Sequence, residues 1–362
     1  MRFKSTLFVT NHTFHYSGMV HEFFREHSDE YRVFVHSATH SPEDSLLETY
    51  TDGRRTSSES IPSYRGRIGV LWMIMTYLDF LRIAYFRVPR GTVIITYHPL
   101  FCFGNAFLRR LRGIRTVLWL YDHYPNRFPT MTSIAGYYAR RMSEMLFVTD
   151  AMRDSIVRDY PPPVGARRET VEMALRAAPY HRAPERGRIG YIGGFDGSQN
   201  VELAIRALAL DHELRLDLVG DSSRRGELEG LARTLGVGDR VHFFGRIFDE
   251  SRLADIAARW EAGVAPYQTA DHTPYGDPSK LKSYWQLGLP VVISSAQPRS
   301  REVLAWGVGE VCELDPRSFV LAVERVCAKG PGYQANIETL RARYDYRTYL
   351  RDRLSFLAEP AL

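Results

Sequence analysis

The densest run of residues able to do chemistry is Tyr275-Gly-Asp-Pro-Ser-Lys-Leu-Lys-Ser-Tyr-Trp-Gln-Leu-Gly-Leu-Pro-Val-Val292. Asp277 followed by Pro278 predicts a helix start, because the carboxylate accepts from the free amides of a first turn and proline tolerates the first helical position. Lys280 then falls inside that turn, where a cation opposes the helix dipole at a cost of a few tenths to ~1 kcal/mol. A bound anion removes the conflict. Free amides, dipole and ammonium together describe a phosphate site, which assigns Ser279 and Lys280 to grip a diphosphate. The competing reading is a solvated lysine on an ordinary helix. Of the 47 basic side chains only Lys4, Lys280, Lys282 and Lys329 are lysines, so lysine here departs from the chain's habit.

Other candidates sit at the ends of short apolar runs. Thr10-Asn-His-Thr-Phe-His-Tyr-Ser-Gly18 follows the first such run, so His12, His15 and Ser17 can contact hydroxyls or phosphates, although loop histidines also serve structure or solvation. Asp122 and His123 end another run; Asp122 is otherwise a turn or cap residue. Tyr97-His98-Pro99 ends a third and stays ambiguous. Gly193-Gly194 reads on its own as a tight turn of positive φ. No two aspartates stand two apart and no HExxH or CxxC pair occurs, which favours chemistry without a metal. Gly-x-Ser-x-Gly and G-x-G-x-x-G are absent as well, so neither a hydrolase elbow nor a nicotinamide fold is indicated. Charge on a bound diphosphate then falls to Lys280, main-chain amides and nearby arginines.

These residues need elements to hold them. Runs at 7–10, 33–36, 93–96, 116–120 and 146–149 read as strands with helical stretches between, the pattern of a parallel sheet covered on both faces. A second series follows at 189–192, 214–219, 241–244, 263–265 and 290–294, with helices over 201–209, 227–235 and 250–258. At 362 residues, with 44% apolar, the chain is long enough for two cores. Pro161-Pro162-Pro163 and residues 183–188 punctuate the middle. The expected organisation is two tandem Rossmann-like α/β domains, 1–180 and 181–345, facing a cleft at the carboxyl ends of their strands, with a terminal helix over 346–362, part of a helical pattern at 341–357, returning to the first.

Several segments fall in an order that resembles the retaining glycosyltransferase family four (glycosyl transferases group 1) of the GT-B fold. Pro278-x-Lys280, Tyr284 and Gly288-x-Pro-Val-Val292 look like that family's donor-site helix. Gly190-Tyr-Ile-Gly-Gly-Phe195, Asn200-Val-Glu-Leu-Ala-Ile-Arg-Ala207, Leu218-Val-Gly-Asp221, Asp239-Arg-Val-His-Phe-Phe-Gly-Arg246 and Val264-Ala-Pro266 extend the likeness over 188–312. Trp119-Leu-Tyr-Asp-His-Tyr-Pro125 resembles the family's N-domain strand ending in an acid. The resemblance implies transfer of a sugar from a nucleoside-diphosphate sugar to an acceptor hydroxyl with retention, with no cofactor beyond the donor. It implies that Gly193, Gly194, Asp277, Ser279 and Lys280 surround the diphosphate, that Ser283 faces the ribose, and that Asp122 or His123 orients the acceptor. Departures are specific: Tyr275 and Ser283 stand where the family has two glutamates, and Gly194-Phe-Asp-Gly-Ser-Gln-Asn200 lacks the family's phosphate-binding cation. Lys280 and Arg246 would carry that load. A sugar-nucleotide epimerase and a catalytically inactive nucleotide-sugar-binding scaffold remain as alternatives.

The net charge of +5 is uneven: residues 1–180 hold 23 Lys+Arg against 17 Asp+Glu. Acids are interspersed with the arginines and no nucleic-acid motif appears, so a nucleic-acid partner is not expected. Residues 68–88 are apolar but carry Asp79, Arg82 and Arg87, too many charges for a bilayer span. They read as a helix packed on a sheet, an interfacial helix, or both. With Arg109, Arg110, Arg112 and Arg115, they suggest an anionic membrane or acidic acceptor facing the first domain. The apolar run at the N-terminus is too short for a signal-peptide core, and three scattered cysteines suggest a reducing compartment. The expected place is the cytoplasm, peripheral to a membrane.

Overall fold

The computed structural model describes residues 1–11, 18–36, 44–62, 69–123, 126 and 129–358. His12, His15 and Ser17 lie outside the described residues. The chain forms two compact units, Met1–Ala174 with Tyr346–Leu362, and Leu175–Asp345.

In the first unit the elements run β1 (Phe3–Asn11), α1 (Gly18–His27), β2 (Ser28–His36), β3 (Ser45–Thr51), β4 (Arg54–Ile61), α2 (Gly69–Arg82), β5 (Val93–Thr96), α3 (Asn105–Arg112), β6 (Arg115–Leu120), α4 (Pro129–Ala139), β7 (Glu144–Phe147), α5 (Asp150–Asp159) and β8 (Arg167–Thr170). Among the described residues they build one sheet in the order β4-β3-β2-β1-β5-β6-β7-β8. β1, β2, β5, β6, β7 and β8 are parallel, and Leu7, Phe8, Ile94, Ile95, Val117 and Leu118 bury fully on its two faces. The all-parallel expectation fails at one edge, where β3 and β4 are antiparallel. β4 reads Arg-Arg-Thr-Ser-Ser-Glu-Ser-Ile and is exposed almost throughout, so it lacks the apolar run that announces a strand.

The second unit contains β9 (Arg188–Ile192), α6 (Val201–Leu208), β10 (Arg215–Val219), α7 (Arg225–Thr234), β11 (Val241–Gly245), α8 (Glu250–Ala257), β12 (Ala262–Ala265), α9 (Ser279–Gln286), β13 (Val291–Ser294), α10 (Ser300–Ala305), β14 (Gly309–Cys312), α11 (Pro316–Lys329) and α12 (Gln334–Tyr344). Its sheet is wholly parallel, in the order β11-β10-β9-β12-β13-β14. Asp217, in the middle of β10, is buried and accepts from Arg188 Nη1 at 2.9 Å and from Trp260 Nε1 at 2.8 Å, satisfying both donors inside the core.

The helical pattern of 341–357 is broken. Asp345 leaves helical geometry (ψ 125), its Oδ2 accepts from the Ala177 amide at 3.1 Å, and α13 (Tyr346–Leu354) starts afresh beyond it. This last helix packs on the first unit: Tyr346 Oη donates to Glu26 and Tyr349 Oη accepts from the Glu172 amide. The 68–88 segment is likewise shorter than its pattern suggests, because α2 ends at Arg82 in a π-helical turn over Ile83–Arg87. Phe80, Ile83, Ala84 and Val88 enter the core beside Leu7, Ile94 and Leu108.

Candidate active site

In the second unit every strand is parallel, so the loops after β9, β10, β11 and β12 emerge on one edge. This edge holds Gly193-Gly194, Gly220, Arg246 and the approach to α9. Tyr284 fixes α9 there: its hydroxyl donates to the Val264 carbonyl at 2.7 Å and accepts from the Ile192 amide at 3.1 Å, tying the ends of β12 and β9 together. Gly263 makes room for it, since a Cβ there would stand 2.3 Å from the Tyr284 ring. The tyrosine four residues after Lys280 is thus the anchor that positions the lysine.

Lys280 lies in the first turn of α9 and is buried. Its Nζ donates to Gln199 Oε1 at 2.5 Å and to Tyr267 Oη at 3.4 Å, and lies 5.1 and 5.0 Å from the Tyr191 and Tyr267 ring centroids. Neither hydrogen-bond partner is a carboxylate. Burial lowers the ammonium to about 8, an effect that Asp196 opposes only in part. Gly193 (φ +135) presses on it: a Cβ there would meet Lys280 Cε at 2.9 Å and Nζ at 3.1 Å. Gly193 thus has the positive φ that a tight turn requires, and its missing side chain also makes space for the cation. Gly194 is exposed, with only the Asp221 carbonyl, 4.0 Å off, near its missing Cβ.

The helix start differs from expectation. Pro278 occupies the N-cap position and no side chain caps the first turn. Asp277 points elsewhere, with its buried carboxylate 3.4 Å from Arg299 Nε and 4.0 Å from Lys282 Nζ. Two buried cations hold this carboxylate away from the helix start; the Leu281 amide donates to the Pro278 carbonyl at 2.9 Å, and no side chain caps the amides of Ser279 and Lys280. Ser279 is half-buried at the first helical position. Ser283 Oγ donates to the Ser279 carbonyl at 3.2 Å, one turn back in its own helix. Arg246 is exposed just past β11. Gln199, Tyr191 and Tyr267, which clasp Lys280, escaped the sequence reading because their spacing carries no motif.

In the first unit the carboxyl edge holds a cavity of about 280 Å³. Thr10 from β1, His36 from β2, His98 after β5, Asp122 and His123 after β6, and Met131 from α4 line it. Parallel pairing of β1, β2, β5 and β6 brings these scattered positions together. His123 is buried and Asp122 exposed. His98 Nδ1 accepts from the Leu100 amide at 3.2 Å, which leaves Nε2 as the protonated nitrogen, and burial lowers its pKa. Tyr97 and Tyr121, which also line the cavity, lie with ring centroids 4.2 Å apart and planes tilted by 59°. His36 and His98 are the site residues that sequence missed or left open; the available signal was a histidine ending a parallel strand. Among the described residues, no group of three or more His, Cys, Asp or Glu is placed to hold a metal ion.

Two α/β units of this kind, with the final helix on the first, make up the GT-B fold. Residues 179–343 match the family model described as glycosyl transferases group 1. Among solved structures, the lipopolysaccharide outer core galactosyltransferase WaaB is similar at TM-score 0.66 and 14% identity, over 97% of this chain and 99% of that one. Sucrose-phosphate synthase from Thermosynechococcus elongatus is similar at TM-score 0.69 and 15% identity, over 98% and 96%. Anabaena HepE in complex with UDP is similar at TM-score 0.69 and 13% identity, over 99% and 100%. At these identities the likeness is one of fold. A search of the curated proteins finds no match.

Proposed function

We propose that the protein transfers a glycosyl residue from a nucleoside-diphosphate sugar to an acceptor hydroxyl, with retention and without a metal. The observation that carries this reading is Lys280, a buried ammonium with neutral partners beside uncapped helix amides and an open glycine. A diphosphate supplies the negative charge this arrangement calls for. The family match over 179–343 supports the same reading, and UDP, the ligand of the HepE structure, is the first nucleotide to try.

In this reading the second unit takes the donor and the first takes the acceptor. The bond from the anomeric carbon to the diphosphate breaks while a bond from that carbon to the acceptor oxygen forms on the same face. The acceptor proton passes to the departing diphosphate oxygen, so no protein base is required. Lys280, the first-turn amides of α9 and the Gly193–Gly194 backbone stabilise the growing charge, with Arg246 in reserve at the edge. Ser283, whose hydrogen is committed to Ser279, keeps lone pairs to accept from a ribose hydroxyl. Asp122 and His123 orient the acceptor in the 280 Å³ cavity. Free Cys102, Cys312 and Cys327 support a cytoplasmic setting, in glycan, polysaccharide or glycosylated-metabolite assembly.

The test is Lys280→Ala with a panel of nucleoside-diphosphate sugars. Turnover should drop by about 10²–10³-fold with the melting temperature retained. Undiminished turnover sinks the assignment, and donor isomerisation without an acceptor would make the protein an epimerase instead.

A further inference from the structure

The first unit carries an apolar surface that its own core does not use. Leu78 (50% exposed) and Ile74 (51%) lie one turn apart on α2, and Phe107 (60%) and Leu111 (42%) one turn apart on α3. Phe103 (63%) joins them: Tyr77 of α2 donates to its carbonyl at 2.7 Å and meets its ring edge-on at 5.8 Å. Arg112 of α3 closes the other end, donating to the Val88 carbonyl and lying 5.7 Å from the Tyr85 ring centroid. These helices therefore present one joined surface rather than scattered apolar residues, which would need no explanation.

The charges along these helices are mostly positive, although Arg87 is paired with Glu59 of β4 through two hydrogen bonds. Residues 69–112 contain six arginines, at 82, 87, 90, 109, 110 and 112, and one acid, Asp79. Among the described residues no helix is long and apolar enough to cross a membrane. Exposed bulky apolar side chains within a basic rim match the boundary of an anionic bilayer, where acyl chains take the first and headgroups the second. We propose that this face docks on an anionic membrane surface. It borders the candidate acceptor cavity, because α4 packs against the turn at Pro99–Cys102 and contributes Met131 to that cavity. The relevance of docking to an acceptor rests on the transfer reading above; the docking itself does not.

The experiment is flotation of the full chain with vesicles of phosphatidylcholine alone or with 30% phosphatidylglycerol (about one lipid in three, enough for a negative surface). No sugar nucleotide is added, so the result is independent of the donor site, and Lys280→Ala should float like the native protein. The expected outcome is binding to anionic vesicles that weakens at least about tenfold in raised salt and on neutral vesicles. Phe103→Ser with Phe107→Ser, and separately Arg109→Gln with Arg110→Gln, should each weaken it by about tenfold or more while circular dichroism stays native. Absence of binding to anionic vesicles at low salt, or equal binding by both double variants, overturns the proposal. So does a dimer in light scattering that the Phe103→Ser, Phe107→Ser variant abolishes, since a second copy would then own the face.

Discussion

The carboxyl edges of the two sheets are built alike and charged differently. In the second unit a single ammonium is sunk among tyrosines and an amide, against a glycine that leaves it no slack. In the first unit the edge is a chamber lined by three histidines and an aspartate, one of those histidines held neutral by burial and by the Leu100 amide. The contrast teaches what each edge can do. A fixed cation recognises a ligand that is always charged, whereas imidazoles, which offer a donor and an acceptor, and one carboxylate suit hydroxyl groups.

The largest predicted effect attacks the charged edge through its backbone. Gly193→Ala places a methyl group within 2.9 Å of Lys280 Cε and demands a φ of +135 from a residue that resists it. Loss of diphosphate affinity by about 100-fold and of about 1–3 kcal/mol of stability is expected, read by calorimetry and urea unfolding. Undisturbed affinity would mean that the glycine serves the turn alone. Next comes the neutral edge. Asp122→Asn and His123→Ala should reduce transfer by about 10–100-fold while donor binding stays native, a split that steady-state kinetics and titration together reveal. If donor affinity falls instead, the division of labour between the edges is wrong.

The smallest effect is a pH dependence peculiar to the charged edge. Burial lowers the Lys280 ammonium to about 8, so diphosphate affinity should be full below that pH and fall by up to about tenfold per unit above it. The stability term has the opposite sign. Between about 8 and the ordinary 10.5 the unfolded chain holds more of this proton than the folded one, so this group's contribution to the free energy of unfolding rises with pH across that window. Lys280→Met should flatten both trends, and a native affinity that is level from pH 7 to 9.5 would show that the bound form does not need the charge.

Legibility followed local physics. The strands at Val93–Thr96 and Arg188–Ile192 stood out because burial on both faces demands continuous apolar runs. β4 was hidden because its pairing rests on backbone hydrogen bonds at an exposed edge. Lys280 was legible as a cation in the wrong half of a helix. The role of Asp277 was not, because its choice of Arg299 and Lys282 over the helix amides depends on a residue 22 positions away. The break at Asp345 was hidden for the same reason: it answers the amide of Ala177, far back in the chain.

The central claim is that the carboxyl edge of the second unit recognises a diphosphate through Lys280. Calorimetric titration of the native chain and of Lys280→Met with UDP, UMP and uridine at pH 7 tests it directly, other bases following if uracil gives no heat. The diphosphate should bind at least about tenfold more tightly than the monophosphate or nucleoside, and Lys280→Met should erase this preference. Equal affinity for diphosphate and nucleoside, or a preference that survives in Lys280→Met, would contradict it.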